Sequence, residues 1–191
     1  MKKDRRQFLK TAGFSTVAST LPFVQLLAGS GVSPEPDKEG FVIDAESQET
    51  YLIAGRQAPV TIIVDKQKKG VQAISFCFED IIPGDLIPVH KHLREAEVIF
   101  IQKGSGVFTL GEKEFAVKEG SAAYVPKGVW HGLRNTGTET IRMQFSFTPA
   151  GFEGYFREIG VPIGVEWKEK TPQEFAAIDK KYGIVYKPKK G

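Results

Sequence analysis

The 191-residue chain is 41% apolar, 26% charged and 11% aromatic, which suits one mid-sized domain with its own core and excludes disordered, collagen-like and coiled-coil chains. Its formal net charge of +3 is unevenly placed: residues 1–30 carry Lys2, Lys3, Arg5, Arg6 and Lys10 against Asp4, and the other 161 residues hold 21 basic and 22 acidic side chains. A near-neutral body lacks the basic footprint of a nucleic-acid binder, and a single cysteine, Cys77, excludes an intrachain disulfide, a zinc ribbon and a CxxC redox site.

Residues 1–10 read MKKDRRQFLK, and residues 11–29 are uncharged and moderately apolar, interrupted by Pro22. Arg5-Arg6 followed by Gln7-Phe8-Leu9-Lys10 resembles the twin-arginine (Tat) export signal, with Asp4 where Ser or Thr is commoner. Such a segment is set aside from fold reasoning. It implies the Tat export machinery as a partner and a periplasmic or secreted protein. The alternative is an amphipathic N-terminal helix packed on the domain. The run is too rich in Ser, Thr and Gly to predict a membrane span in the mature chain. Ala28-Gly29-Ser30 offers small residues for cleavage. The expected organisation is a signal peptide at 1–30, a Pro-rich linker at 31–48, a β-domain at 49–148 and a helical extension at 149–191.

Short runs rich in Val, Ile and Phe follow at 50–54, 60–65, 71–82, 97–102, 106–110, 113–117, 122–125, 131–135 and 140–148, separated by Gly, Pro, Lys-Gly and Asn-Thr-Gly breaks. Many short strands at close spacing predict an all-β sandwich or barrel. In the last run Ile141, Met143, Phe145 and Phe147 alternate with Arg142, Gln144, Ser146 and Thr148, the pattern of a strand with one buried face. Phe76, Phe78, Phe100, Phe108, Phe145 and Phe147 are each core or pocket lining. Cys77 reads as a small buried hydrophobe, and Lys66 to Lys69 as a solvated basic turn. Beyond Thr148-Pro149, the apolar spacing of Phe152, Tyr155, Phe156 and Ile159 predicts a helix capped at Thr148 and stopped at Gly160. Thr171 to Glu174 is a capping box before Phe175, Ile178 and Tyr182, with Gly183 as the stop. Their aromatics are read mainly as packing at one end of the β-domain.

All three histidines fall within 42 residues. His90 and His92 are two apart, so on a strand they share a face. Glu97 follows beyond a turn, and His131 lies on a later strand. If these strands are neighbours, three imidazoles and a carboxylate can converge on one transition-metal ion. Four protein ligands would leave one or two positions open, as a catalytic site needs.

Gly84-x5-His90-x-His92-x4-Glu97-x6-Gly104 and Gly120-x5-Pro126-x-Gly128-x2-His131-x3-Asn135 resemble the two motifs of the cupin superfamily at every defining position. The resemblance implies a double-stranded β-helix (a cupin or jelly-roll barrel) with extra N-terminal strands. It implies one divalent metal ion (Fe, Mn, Ni or Zn) held by His90, His92, Glu97 and His131. It also implies pairing through N-terminal strands, hence a homodimer. The glycines fit turns that need positive φ, Pro126 fixes a turn, and Asn135 reads as a turn residue. Within the superfamily, HKHLREAEVIFIQKGSG (90–106), FTPAGFEGYFREIG (147–160) and Lys181 to Ile184 are similar to the bacterial single-domain cupins that resemble quercetin 2,3-dioxygenase. The first expectation is therefore an oxygen-using dioxygenase acting on a small molecule, with Glu97 as candidate general base. The others are a metal-dependent decarboxylase, oxidase or isomerase, and a non-catalytic binder of a small ligand or metal. Germin-like oxalate oxidases usually carry an N-terminal disulfide, which a lone Cys77 cannot form, and two-domain oxalate decarboxylases have two motif pairs where this chain has one.

Overall fold

The computed structural model describes residues 40–53 and 59–188, all within the compact unit Pro36–Gly191. The expected export segment, its cleavage site and residues 31–39 of the expected linker lie outside the described residues.

After a single 3-10 turn, Ala45–Ser47, the strands are β1 (Glu49–Ile53), β2 (Pro59–Val64), β3 (Ser75–Ile81), β4 (Leu86–His92), β5 (Ala96–Lys103), β6 (Ser105–Leu110), β7 (Lys113–Lys118), β8 (Ala122–Val125), β9 (His131–Arg134), β10 (Ile141–Thr148), β11 (Gly160–Pro162) and β12 (Ile184–Tyr186). Helices α1 (Lys66–Lys69), α2 (Glu153–Ile159) and α3 (Pro172–Tyr182) complete the description. The strands form a seven-stranded sheet, β11-β1-β2-β3-β10-β5-β8, and a five-stranded sheet, β12-β4-β9-β6-β7. Every described pairing is antiparallel. From β3 to β10 the chain passes back and forth between the two sheets. This is the expected all-β, double-stranded β-helix architecture, with β1 and β2 as the extra N-terminal strands.

Two details differ from the sequence reading. The domain is two facing sheets rather than a closed barrel, because no strand pairing joins one sheet to the other among the described residues. Residue patterning sets which face of each strand is buried, but whether edge strands meet is decided by twist and loop length. The second detail is the set of strands outside the apolar runs. β4 carries Pro88 and a polar end, while β11 and β12 are three residues each, so none stands out by composition.

The core lies between the sheets. On β10 the buried residues are Ile141, Met143, Phe145 and Phe147, with Arg142, Gln144, Ser146 and Thr148 on the other face. Their neighbours in one cluster include Ile99 and Ile101 from β5, Phe108 from β6 and Leu133 from β9. Of the six phenylalanines left open by sequence, Phe108, Phe145 and Phe147 point inward, whereas Phe100 is exposed and Phe76 and Phe78 are half-buried on the outer face. Cys77 is fully buried, and burial pushes its thiol pKa well up, which makes it an inert core group.

The C-terminal extension packs as helices, with one correction. α2 starts at Glu153 rather than at Pro149, and Thr148 instead ends β10 with its hydroxyl donating to the Ala73 carbonyl at 3.0 Å. The fully buried Glu153 carboxylate accepts from the Gly151 N–H at 2.7 Å and the Lys66 N–H at 2.8 Å, a tertiary cap that helical spacing could not reveal. Arg157 pairs with Glu49 at 3.0 Å and with Asp65 at 3.1 Å, tying α2 to β1 and to the cap of α1, the one-turn helix that replaces the expected basic turn. α3 carries the expected capping box between Thr171 and Glu174, and Gly183 ends it at φ 70°. Among the described residues no helix is long and apolar enough to cross a membrane.

Asn135 holds the corner that leads into β10. Its amide donates to the Ile81 carbonyl at 2.7 Å and the Glu139 carbonyl at 2.8 Å, and its carbonyl accepts from the Gly137 N–H at 3.0 Å. Asn135→Ala is therefore expected to cost about 2–3 kcal/mol in chemical denaturation, because buried backbone groups lose their partners. A loss under about 0.5 kcal/mol would show that the corner holds without it.

Candidate metal centre and its cavity

The end of β4, the start of β5 and the start of β9 bring His90, His92, Glu97 and His131 together, all buried. Several local features aim these side chains. The β4–β9 register slips between Ile87 and His90, where Pro88 sits, and beyond this irregularity His90 lies directly across from His131. A slip of this kind re-aims the side chains that follow it. Gly132 lets the two strands approach, since a Cβ there would lie 2.9 Å from the Ile87 carbonyl oxygen. Gly84, Gly104, Gly120 and Gly128 all have positive φ, as expected. At Gly128 (φ 81°) the turn lets the backbone N–H donate to the His92 carbonyl at 2.7 Å, which ties the approach to His131 onto the strand bearing His92.

One ligand atom from each of the four residues can be chosen so that all lie within 4.8 Å of one another. His90 Nε2 is 3.1 Å from His92 Nε2, and Glu97 Oε2 is 2.8 Å from His131 Nε2 and 3.5 Å from His92 Nε2. The far sides of two rings are fixed: His90 Nδ1 is 2.8 Å from the Pro88 carbonyl and His131 Nδ1 is 3.0 Å from the Val129 carbonyl. A carbonyl only accepts, so each Nδ1 carries a proton and each Nε2 faces the centre, the arrangement by which second contacts orient metal-binding imidazoles. His92 is held differently, its ring lying edge-on between Phe152 at 4.2 Å and Phe147 at 5.0 Å between centroids.

Burial and then the neighbouring His131 and His92 push the His90 pKa well below its ordinary value, which keeps its imidazole neutral. Burial also disfavours a charge on Glu97 and on His131. Their mutual contact outweighs it: hydrogen bonds from His131 and His92 hold Glu97 at about 2, and the Glu97 carboxylate lifts His131. The centre is a carboxylate and ε-nitrogens crowded onto one point, with protons shared between donor and acceptor pairs as the only positive charge available to them. Such a donor set fits a single divalent ion, which would take the place of those protons.

Beside the centre is a cavity of about 690 Å³. Phe108, Phe145, Phe147, Phe152, Phe156 and Trp167 supply aromatic lining. Glu79, Asp85, Glu169 and Asp179 also reach it, and Lys170 is the one Lys or Arg lining it among the described residues. The sequence singled out the four centre residues and counted the aromatics of the C-terminal segment mainly as packing. It missed Tyr186, which lines the cavity from β12, because nothing local distinguishes a tyrosine in a three-residue edge strand.

The two-sheet fold, with a three-His, one-Glu centre buried between its sheets, defines a protein of the double-stranded β-helix class. Residues 77–147 match the Cupin_2 family, described as a cupin domain. Among curated relatives, the chain is 31% identical to the oxalate-binding protein of Thermotoga maritima over 75 residues, 39% of this chain and 62% of that protein. It is 31% identical to germin-like protein subfamily 2 member 4 of Arabidopsis thaliana over 126 residues, 54% of this chain and 57% of that protein. The chain spans 53–62% of the length of the curated relatives it matches. The solved structure of an RmlC-like cupin from Shewanella frigidimarina shares the fold, with TM-score 0.50, 18% identity, and coverage of 59% of this chain and 93% of that one.

Protein purified without added metal is expected to carry about one transition-metal ion per chain by elemental analysis, with the signal lost in His90→Ala and in His131→Ala. Absence of any ion from wild-type protein, even after loading with Fe, Mn, Ni or Zn salts, would refute a metal centre.

Proposed function

We propose that the protein is a metal-dependent cupin acting as a dioxygenase-type oxidoreductase on a hydroxylated, largely apolar organic molecule such as a flavonol, diketone or catechol. The observation that carries this reading is the cavity of about 690 Å³ opening onto the His90–His92–Glu97–His131 centre, with an aromatic lining. Pockets for drug-sized ligands have this size and polarity. A divalent ion held there would supply Lewis acidity, lowering the pKa of a hydroxyl or enol brought against it.

The protein's own groups have separable tasks. Phe147 and Phe152 fix the His92 ring and leave an apolar wall for a ligand's rings. Glu97, turned toward a bound hydroxyl, would accept its proton, the general-base role expected from sequence. Away from the centre, acidic side chains outnumber Lys170 in the lining among the described residues, so a hydroxylated, uncharged body suits that part of the cavity better than a second anionic group.

The proposal includes Tat-dependent export, supported by Arg5-Arg6 and residues 7–10. Because Tat carries folded proteins, the centre would be filled in the cytoplasm, before the chain meets the copper and zinc that compete most strongly for such ligands. Replacing residues 1–30 with a Sec signal is expected to change the metal found in exported protein; unchanged metal content would remove this rationale.

Oxygen uptake by metal-loaded protein, measured across flavonols, diketones and catechols, is expected on at least one compound and is expected to fall to background in His131→Ala. Tight binding of these compounds with no oxygen uptake on any would instead make the protein a binding module.

A further inference from the structure

Beside His90 the cavity wall is built by residues outside the 77–147 cupin match. β12 pairs with β4 so that Tyr186 lies across from His90 and Ile184 across from His92. The Tyr186 ring is 5.9 Å from the His90 ring between centroids. The Tyr186 hydroxyl is 2.9 Å from that of Tyr155 on α2, and the Tyr155 hydroxyl donates to Asp179 Oδ1 on α3 at 2.8 Å. All three residues line the cavity.

The order of protons in this chain follows from the donor inventory. A phenol has one proton, and the Asp179 carboxylate, which can only accept, takes that of Tyr155. The contact between the two phenols must then use the proton of Tyr186. The sequence of donation is Tyr186 to Tyr155 to Asp179, which commits the Tyr186 proton and leaves its oxygen only the capacity to accept, and each bond polarises the next. An acceptor at that place suits a ligand that brings its own hydroxyl proton, and it does not suit a carboxylate.

We propose that Tyr186 is a ligand-binding residue whose oxygen accepts a hydrogen bond from a hydroxyl of an aromatic ligand seated against the four-residue centre, with Tyr155 and Asp179 as the residues that position it. A molecule with neighbouring oxygens, such as a catechol, sets one against the centre and the other on Tyr186. This assignment rests on the reading of the cavity as a site for hydroxylated molecules, and it gives the C-terminal extension a part in recognition.

The probe is 4-nitrocatechol, titrated by its absorbance into the full chain loaded with Zn(II), which allows no redox turnover. Tyr186→Phe is expected to weaken binding about three- to tenfold, the effect of one hydrogen bond, with zinc content and Tm unchanged. Tyr155→Phe is expected to give a loss of similar size, and the double variant no more than either single one, a non-additivity that independent packing defects would not produce. Asp179→Ala, in the half-exposed part of α3, breaks the same chain if Tyr155→Phe folds poorly. Tyr186→Phe binding as tightly as wild type would overturn the assignment while leaving the cavity reading intact, and additive losses would overturn the positioning roles. Wild-type protein that binds no 4-nitrocatechol, or binds it equally without zinc, would overturn the cavity reading and this assignment together.

Discussion

Three imidazoles and a carboxylate buried within reach of one another form a group that water cannot solvate and that direct contact alone satisfies poorly. Their ε-nitrogens and carboxylate oxygen repel unless something positive lies between them, whether shared protons or an ion. Much of the surrounding architecture follows from keeping them there. The slip in β4 at Pro88 turns His90 toward β9, Gly132 lets the strands close up, and the turn at Gly128 is pinned to the His92 carbonyl. The outer nitrogens of His90 and His131 are anchored to carbonyls, so the rings cannot rotate to relieve the crowding.

The two-sheet scaffold serves this purpose by dividing labour between its faces. The seven-stranded sheet contributes Glu97 and the phenylalanines of β10 from one side, and the five-stranded sheet contributes the histidines from the other. The cavity between them therefore has its polar groups concentrated at the centre and apolar walls beside it, the arrangement by which a pocket orients a ligand. The C-terminal extension completes the enclosure. It is held by a salt-bridged Arg157 and a buried Glu153 cap, contacts rigid enough to hold Phe152 against the His92 ring.

The centre was legible in the chain because its geometry is mostly local. His90 and His92 share a face by strand alternation, Glu97 follows one turn later, and a turn built on Gly128 precedes His131. The capping box of α3 and the alternation of β10 were legible for the same reason: each is a rule about residues a few positions apart. The start of α2 was not, because Thr148 is held at the end of β10 and Glu153, the first residue of α2, accepts from the backbone of α1, contacts that no helical period encodes. Nor was β12, whose three residues form a strand only because β4 offers an open edge to pair with.

The amino-acid order settled which strands have a buried face, which four side chains can share a focus and which turns need glycine, since these depend on backbone period and residue chemistry over short spans. Packing alone settled that the sheets stay open at their edges, that Phe147 and Phe152 flank His92 while Phe100 faces out, and that Tyr186 and Asp179 meet through Tyr155. Those outcomes depend on how distant segments fit together in three dimensions, and contacts between residues far apart in the chain leave no periodic mark along it.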